Sequence, residues 1–123
     1  MTIREAIERT DALTHNTYND YDKIEWLSKL DGMVMRTVIS THTGTVPEFS
    51  GYNDETDKST ELLVPEPYSD VYPRWLEAQI HYASGEISKY NNAILMFNTE
   101  FEAYQDYYNR THMPKNSGTR FLF

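Results

Sequence analysis

Cysteine is absent from the 123 residues. Disulfides, thiolate catalysis and Cys-ligated zinc are excluded with it, so packing has to hold the fold together. No apolar run is long enough to cross a bilayer, and the amino-terminal "MTIREAIERT" is charged and amphipathic where a secretory signal needs an unbroken apolar core. A soluble chain made in the cytoplasm is the expectation. Clustered Lys and Arg are missing too. With 11 basic against 19 acidic residues the formal charge is -8, which disfavours a surface that tracks phosphates.

Chemistry is as scarce as cysteine. His15, His42, His81 and His112 never stand three or four residues apart, so no single helix presents a two-histidine metal pair, and surface or cap roles are expected of them. The stretch "NDETDKSTELLV" (53–64) scatters carboxylates as a calcium loop does. It has Asp57 where the sharp turn needs Gly and Val64 where a bidentate Glu belongs, so calcium is not expected. No Gly-rich phosphate loop precedes a helix, and the Glu residues fall on polar helix faces where charge ordinarily meets water. The sequence offers no catalytic residue, no cofactor-binding residue and no metal ligand. A non-enzymatic role follows as the expectation.

What the chain has in quantity is helical patterning. At this length it forms one domain, and folding should bury roughly two-thirds of the unfolded surface. Thr2 and Glu5 have the spacing of a capping box, and Ile3, Ala6, Ile7 and Leu13 continue a first helix to about Leu13. A second helix is expected from about Asp20 to His42, with Ile24, Leu27, Leu30 or Asp31, Val34 and Val38 on one face and Trp26, Met33 and Met35 widening it. Gly32 weakens its middle by about 1 kcal/mol relative to Ala. Ser69 is expected to cap a third helix from Asp70, with Pro73 in its first turn and Gly85 at its end.

The fourth helix, from about Glu86 to Arg110, spans roughly 37 Å at 1.5 Å per residue. It carries Ile87, Tyr90, Ile94, Phe97, Phe101, Tyr104 and Tyr108 at alternating steps of three and four, which is one face of a helix and the expected seam of the core. Tyrosine in such a seam combines an apolar ring with a hydrogen-bonding tip and suits the border between core and contact surface.

Between helices 2 and 3, residues 43–69 are polar, acidic and punctuated by Gly44, Pro47, Gly51, Pro65 and Pro67; only "TVPEF" (45–49) and "ELLV" (61–64) read as extended. A structureless stretch of this length inside a domain is usually functional or disordered. Leu62, Leu63 and Val64 need a cover, either their own helices or another chain. The chain closes on "THMPKNSGTRFLF", an apolar end on a segment broken by Pro114 and Gly118, which suggests an arm over 112–123 that pairs with a neighbour or folds back. The fold class expected is therefore all-α: a small bundle of about four helices over 1–111, with a long loop between helices 2 and 3 and an extended C-terminal arm.

With the helices in this order, "DKIEWLSKLDGMV" (22–34), "ELLVPEPYSDVY" (61–72) and, beyond the Gly break, "YNNAILMFNTEFEAYQDYYNRTHMPK" (90–115) resemble the head-tail connector proteins of tailed bacteriophages, of the kind found in phages and prophages of Gram-positive hosts. The similarity covers most of the chain and rests on segment order and short phrases. Pro73 in the third helix is its one departure. The resemblance implies a structural adaptor in the virion neck, made in the bacterial host cytoplasm. It would assemble as a ring of twelve copies beneath the portal protein, touch a downstream neck or tail protein, and let DNA pass through its channel without specific binding. It also implies contacts from residues 43–68 and 112–123, so Leu62, Leu63, Val64, Tyr68, Arg120, Phe121, Leu122 and Phe123 are expected interface residues, and the outer tyrosines of the fourth-helix stripe, Tyr104 and Tyr108, are expected to face neighbouring subunits. Two other readings stay open: a soluble acidic regulatory or inhibitory binder that mimics DNA, and another neck protein such as a stopper or tail terminator.

Overall fold

The computed structural model describes residues 1–42, 44 and 48–113. Thr45, Val46 and Pro47 of the expected extended stretch, and residues 114–123 of the expected arm with Arg120, Phe121, Leu122 and Phe123, lie outside the described residues. The fold is an all-α bundle of four helices: α1 (Ile3–Leu13), α2 (Asp20–Thr37), α3 (Val71–Ala83) and α4 (Ile87–Thr111). No strand occurs among the described residues; where "ELLV" reads as extended, a single antiparallel bridge joins Thr2 to Glu61. Among the helices, α4 adjoins α3 alone, while α3 also packs on α1 and α2.

Local sequence explains how α1 begins. The Thr2 hydroxyl accepts the Glu5 N–H at 3.1 Å while the Glu5 carboxylate accepts the Thr2 N–H at 3.0 Å, a complete capping box. The first-turn N–H groups of Ile3 and Arg4, which have no partner within a helix, donate to the carbonyls of Thr60 and Lys58 at 3.1 and 2.9 Å. The long loop is thus fastened by supplying what a helix start lacks.

Helix α2 starts at an Asn19 cap, whose side chain accepts the Asp22 N–H at 2.9 Å. It ends earlier than the periodicity predicts. Past Thr37 the sequence Val38, Ile39, Ser40, Thr41 is β-branched and hydroxyl-rich, and the hydroxyls take backbone carbonyls for themselves. Thr37 donates to Met33 O at 2.8 Å, Thr41 to Val38 O at 2.8 Å, and Ser40 to Met35 O. The chain tightens into a short 3-10 turn, Ile39–Thr41, instead of continuing to His42.

Helix α3 begins one residue later than expected, and Ser69 does not cap it. The Ser69 hydroxyl is buried and donates to the Glu66 carboxylate, and Asp70 at the cap position makes no capping hydrogen bond with its side chain, which instead accepts from Arg9 at 3.3 Å. Pro73 is the third residue of the helix, where an N–H would have no partner within it, so the proline costs the helix nothing there. The helix closes as Gly85 predicts. Gly85 N–H donates to Tyr82 O at 3.1 Å and Glu86 N–H to His81 O at 2.9 Å, with Gly85 at φ 75°, a Schellman ending. Among the described residues nothing stands within 4 Å of a side chain placed there, so Gly85→Ala is expected to cost backbone strain alone, about 1 kcal/mol. A lower urea midpoint at unchanged m-value checks it.

The core takes Ile3 and Ile7 from α1, Ile24, Leu27, Leu30 and Val34 from α2, Val71, Tyr72 and Leu76 from α3, and Phe97, Phe101 and Tyr104 from α4. The expected seven-residue seam of α4 is buried only in its middle. Ile87 is exposed, Tyr90, Ile94 and Tyr108 are half-buried, and Ala93 takes a buried place that the seam did not include. A strict alternation of three and four drifts around a straight helix, so the shorter α3 cannot follow it over the roughly six turns from Ile87 to Tyr108.

Candidate functional site

The most organised polar site in the molecule is centred on Asp31, which belongs to the buried face of α2 and is 0% exposed. Its Oδ1 accepts the Tyr72 hydroxyl at 2.6 Å; its Oδ2 accepts the Tyr52 hydroxyl at 2.6 Å and the Leu63 N–H at 3.1 Å. The Tyr72 hydroxyl accepts in turn the Val64 N–H at 2.7 Å. One carboxylate therefore ties α2 to α3 and to the loop at two separate places. Among the described residues no lysine, arginine or histidine takes part. Burial pushes the Asp31 carboxyl above the ordinary carboxylate value, and the donors from Tyr52, Tyr72 and Leu63 pull it part of the way back. Burial, and then the negative charge of Asp31, push the Tyr52 and Tyr72 phenols well above theirs.

This arrangement is sealed. A substrate has no route to a fully covered carboxylate, and the chemistry available is that of a fastener: it fixes the contour of residues 48–69 against the helices. The loop is also held by Ser28, whose hydroxyl accepts the Tyr52 N–H at 2.9 Å.

At the far end of α4 a second cluster forms around His42. Its Nδ1 lies 2.6 Å from Val38 O, capping the open end of α2, and its Nε2 lies 2.8 Å from Asn109 Oδ1 on the last turns of α4. Tyr108 meets the His42 ring edge-on at 4.8 Å and stacks on His112 at 3.8 Å with the planes 4° apart. The cap role expected of the histidines is thus found at His42, in a buried setting that spacing alone did not indicate.

The expected interface residues divide. Leu62 and Val64 are buried against their own helices, and Tyr104 is 1% exposed in the core. Their side chains have no surface left for a neighbour, because the Asp31 network draws the loop inward and α4 turns Tyr104 towards it. Within the single chain, Leu62, Val64 and Tyr104 are thus core residues of their own fold. Leu63, Tyr68 and Tyr108 are half-buried at the surface of the core. Tyr68 lies over Tyr107 at 4.9 Å and near Tyr104 at 6.2 Å, so it also anchors the loop to α4.

The exposed apolar side chains lie elsewhere. Ile87 is 56% exposed beside the Tyr82–Tyr90 ring pair at the α3–α4 turn, and Leu95 and Met96 are 63% and 46% exposed on the outer face of α4. The sequence placed Ile87 in the seam and did not single out Leu95 or Met96; their offset from Phe97 on the helical wheel was the signal available. Among the described residues no three His, Asp or Glu side chains come together as a metal site, and no helix is long and apolar enough to cross a membrane. The chain matches no protein-family model, no curated protein and no solved structure.

Proposed function

We propose that the chain is a structural subunit of the neck of a tailed-bacteriophage virion, a head-tail connector that closes into a ring of twelve beneath the portal and extends the DNA channel towards the tail. The resemblance of its segments supplies the setting. The observation that carries the reading is the outer face of α4, where Leu95 and Met96 are held in water by a helix that buries Ala93, Phe97, Phe101 and Tyr104 on its other side. Contiguous exposed apolar side chains on a charged protein are the ordinary mark of a surface that a partner covers. A charge of -8 suits a channel that DNA traverses without sticking, since counterion release favours only basic surfaces. The portal and a downstream neck or tail protein are the other partners in this reading, and it requires no catalysis and no cofactor.

Native mass spectrometry of the full chain over a wide concentration range tests it. Closed rings of a single copy number are expected, and their loss on removing residues 112–123 would assign the arm to the assembly. A monomer at every concentration would overturn the self-assembling ring and favour a soluble acidic binder.

A further inference from the structure

Lys29 and Arg36 stand two turns apart on the exposed side of α2, and neither has an ion-pair partner among the described residues. Arg9 pairs with Asp70, Lys23 with Asp11, Lys58 with Asp20 and Lys89 with Glu86, while Arg4 on α1 and Arg110 on α4 stand apart from this stripe. Two unpaired cations on one stripe are unusual in a chain of charge -8. Between them runs a groove of about 440 Å³, lined by Ser28, Lys29, Gly32, Met33, Arg36 and Trp75. The Trp75 indole N–H donates to Trp26 O at 2.8 Å, which pins the ring as one apolar wall. Gly32 forms the floor without a side chain of its own, and Arg36 Nη1 at 3.5 Å and the Phe49 ring at 3.9 Å border the place where one would start. A mid-helix glycine that weakens α2 acquires a purpose here: it opens a slot between two positive charges.

A complementary surface exists on the same molecule. On the outer face of α4, Leu95 and Met96 border a depression of about 380 Å³ together with Asn92, Thr99 and Glu100. This is an apolar ridge with a carboxylate one turn beyond Met96. It points away from α3, whereas the groove lies between α2 and α3, so the two patches do not overlap. Two different, complementary patches on one subunit are what a head-to-tail contact requires, and such contacts generate rings when the rotation closes.

We propose that the α4 ridge of one copy seats in the α2–α3 groove of the next, with Leu95 and Met96 against Gly32, Met33 and Trp75, and Glu100 between Lys29 and Arg36. This rests on the ring-forming reading and names its interface. An apolar centre flanked by opposite charges gives both burial and register, and steers the approach of the second copy.

Charge exchange tests it by sedimentation velocity and native mass spectrometry, with circular dichroism as the control for folding. Lys29→Glu with Arg36→Glu touches no internal ion pair, so the fold persists, and the neighbour contact is expected to weaken about 100-fold. Adding Glu100→Lys to that variant is expected to bring assembly back to within about tenfold of the original chain, because the charges again oppose. Rings that persist in the double charge reversal would overturn this interface while leaving the ring reading intact. Loss of assembly without rescue by Glu100→Lys would overturn the pairing of groove with ridge. A single-stranded oligonucleotide bound at Lys29 and Arg36, with assembly unaffected by their reversal, would assign the groove to nucleic acid instead. An original chain that is monomeric throughout would overturn the interface and the ring reading together.

Discussion

Replacing Asp31 with alanine is expected to lower the stability of the fold by about 3 kcal/mol, the net of two opposed effects. The loss is the stranding of three donors: the hydroxyls of Tyr72 and Tyr52 and the Leu63 N–H. Each buried donor left without an acceptor costs about 1–3 kcal/mol, and Tyr52 is partly relieved because water reaches it. The gain is the removal of a carboxylate that burial makes expensive. Asp31→Asn separates the two. It keeps one acceptor oxygen and the shape of the side chain but removes the charge, so its cost should be well below that of alanine.

The acid limb gives the sign. The folded Asp31 carboxyl is raised above its unfolded value near 3.8, so the folded chain holds this proton more tightly than the unfolded one. Ionised Asp31 therefore detracts from stability at neutral pH, and that penalty disappears as pH falls through the folded value to the unfolded one. Relative to Asp31→Asn, the original chain should gain stability on acidification through that window. A wild type that instead loses ground to the Asn variant would mean that the donors outweigh burial. Hydrogen exchange supplies a local readout: the amides of Leu63 and Val64 should exchange much faster in Asp31→Ala, since their acceptors, Asp31 and the Tyr72 hydroxyl it orients, are the ones disturbed.

The elements of this fold that depend on residues close in sequence were legible in it. The capping box of Thr2 and Glu5, the Gly85 ending and the extent of α4 all rest on neighbours within a few positions, and each is found as the spacing predicts. Misreadings occur where a local signal meets a competitor. Ser69 has the chemistry of a cap, but Glu66 lies three residues before it across a turn and claims the hydroxyl. Helical periodicity runs through Val38 on α2, but three hydroxyls within reach of backbone carbonyls end the helix first.

The candidate sites were legible only in outline. Asp31 stood on an apolar stripe beside Leu30, a place where a carboxylate has to find donors, yet those donors come from residues 21, 32 and 41 positions away. No periodicity carries that information; the fold of the loop does. The same holds for the groove. Lys29, Gly32 and Arg36 share a face by spacing, but Trp75 joins them only once α3 is docked on α2. Leu62 and Val64 show the reverse case. Their apolar character promised a cover, and the choice between self and neighbour was decided by the Asp31 network.

Stability is expected to fall steeply above pH 10, by about 3 kcal/mol per pH unit. The cause is a pair of buried phenols. Tyr72 is pushed well above the ordinary value of 10 by burial and then by the charge of Asp31, and Tyr104 is pushed up by burial and then by its neighbour Tyr108. Below pH 10 both phenols are protonated in either state and their contribution to stability is whole. Above it the unfolded chain gives up protons that the folded chain keeps, and each such tyrosine removes about 1.4 kcal/mol per pH unit until the folded values are reached. Tyr52 acts in the same direction but adds less, because it is only half-buried and water screens it. Urea midpoints between pH 8 and pH 11, read beside the ultraviolet titration of the phenols, measure the slope. Tyr104→Phe isolates one contribution. The Tyr104 hydroxyl makes no hydrogen bond among the described residues, so the variant should match the original at pH 7 within about 0.5 kcal/mol and show a slope shallower by about 1.4 kcal/mol per unit. Tyr72→Phe should show the same shallowing together with a loss near neutrality of about 2 kcal/mol, since it strands Val64 N–H and removes a donor from Asp31. An unchanged slope in Tyr104→Phe would place that phenol in water, and the α4 seam would then have to be redrawn with Tyr104 on its outer face, where an intersubunit contact could use it.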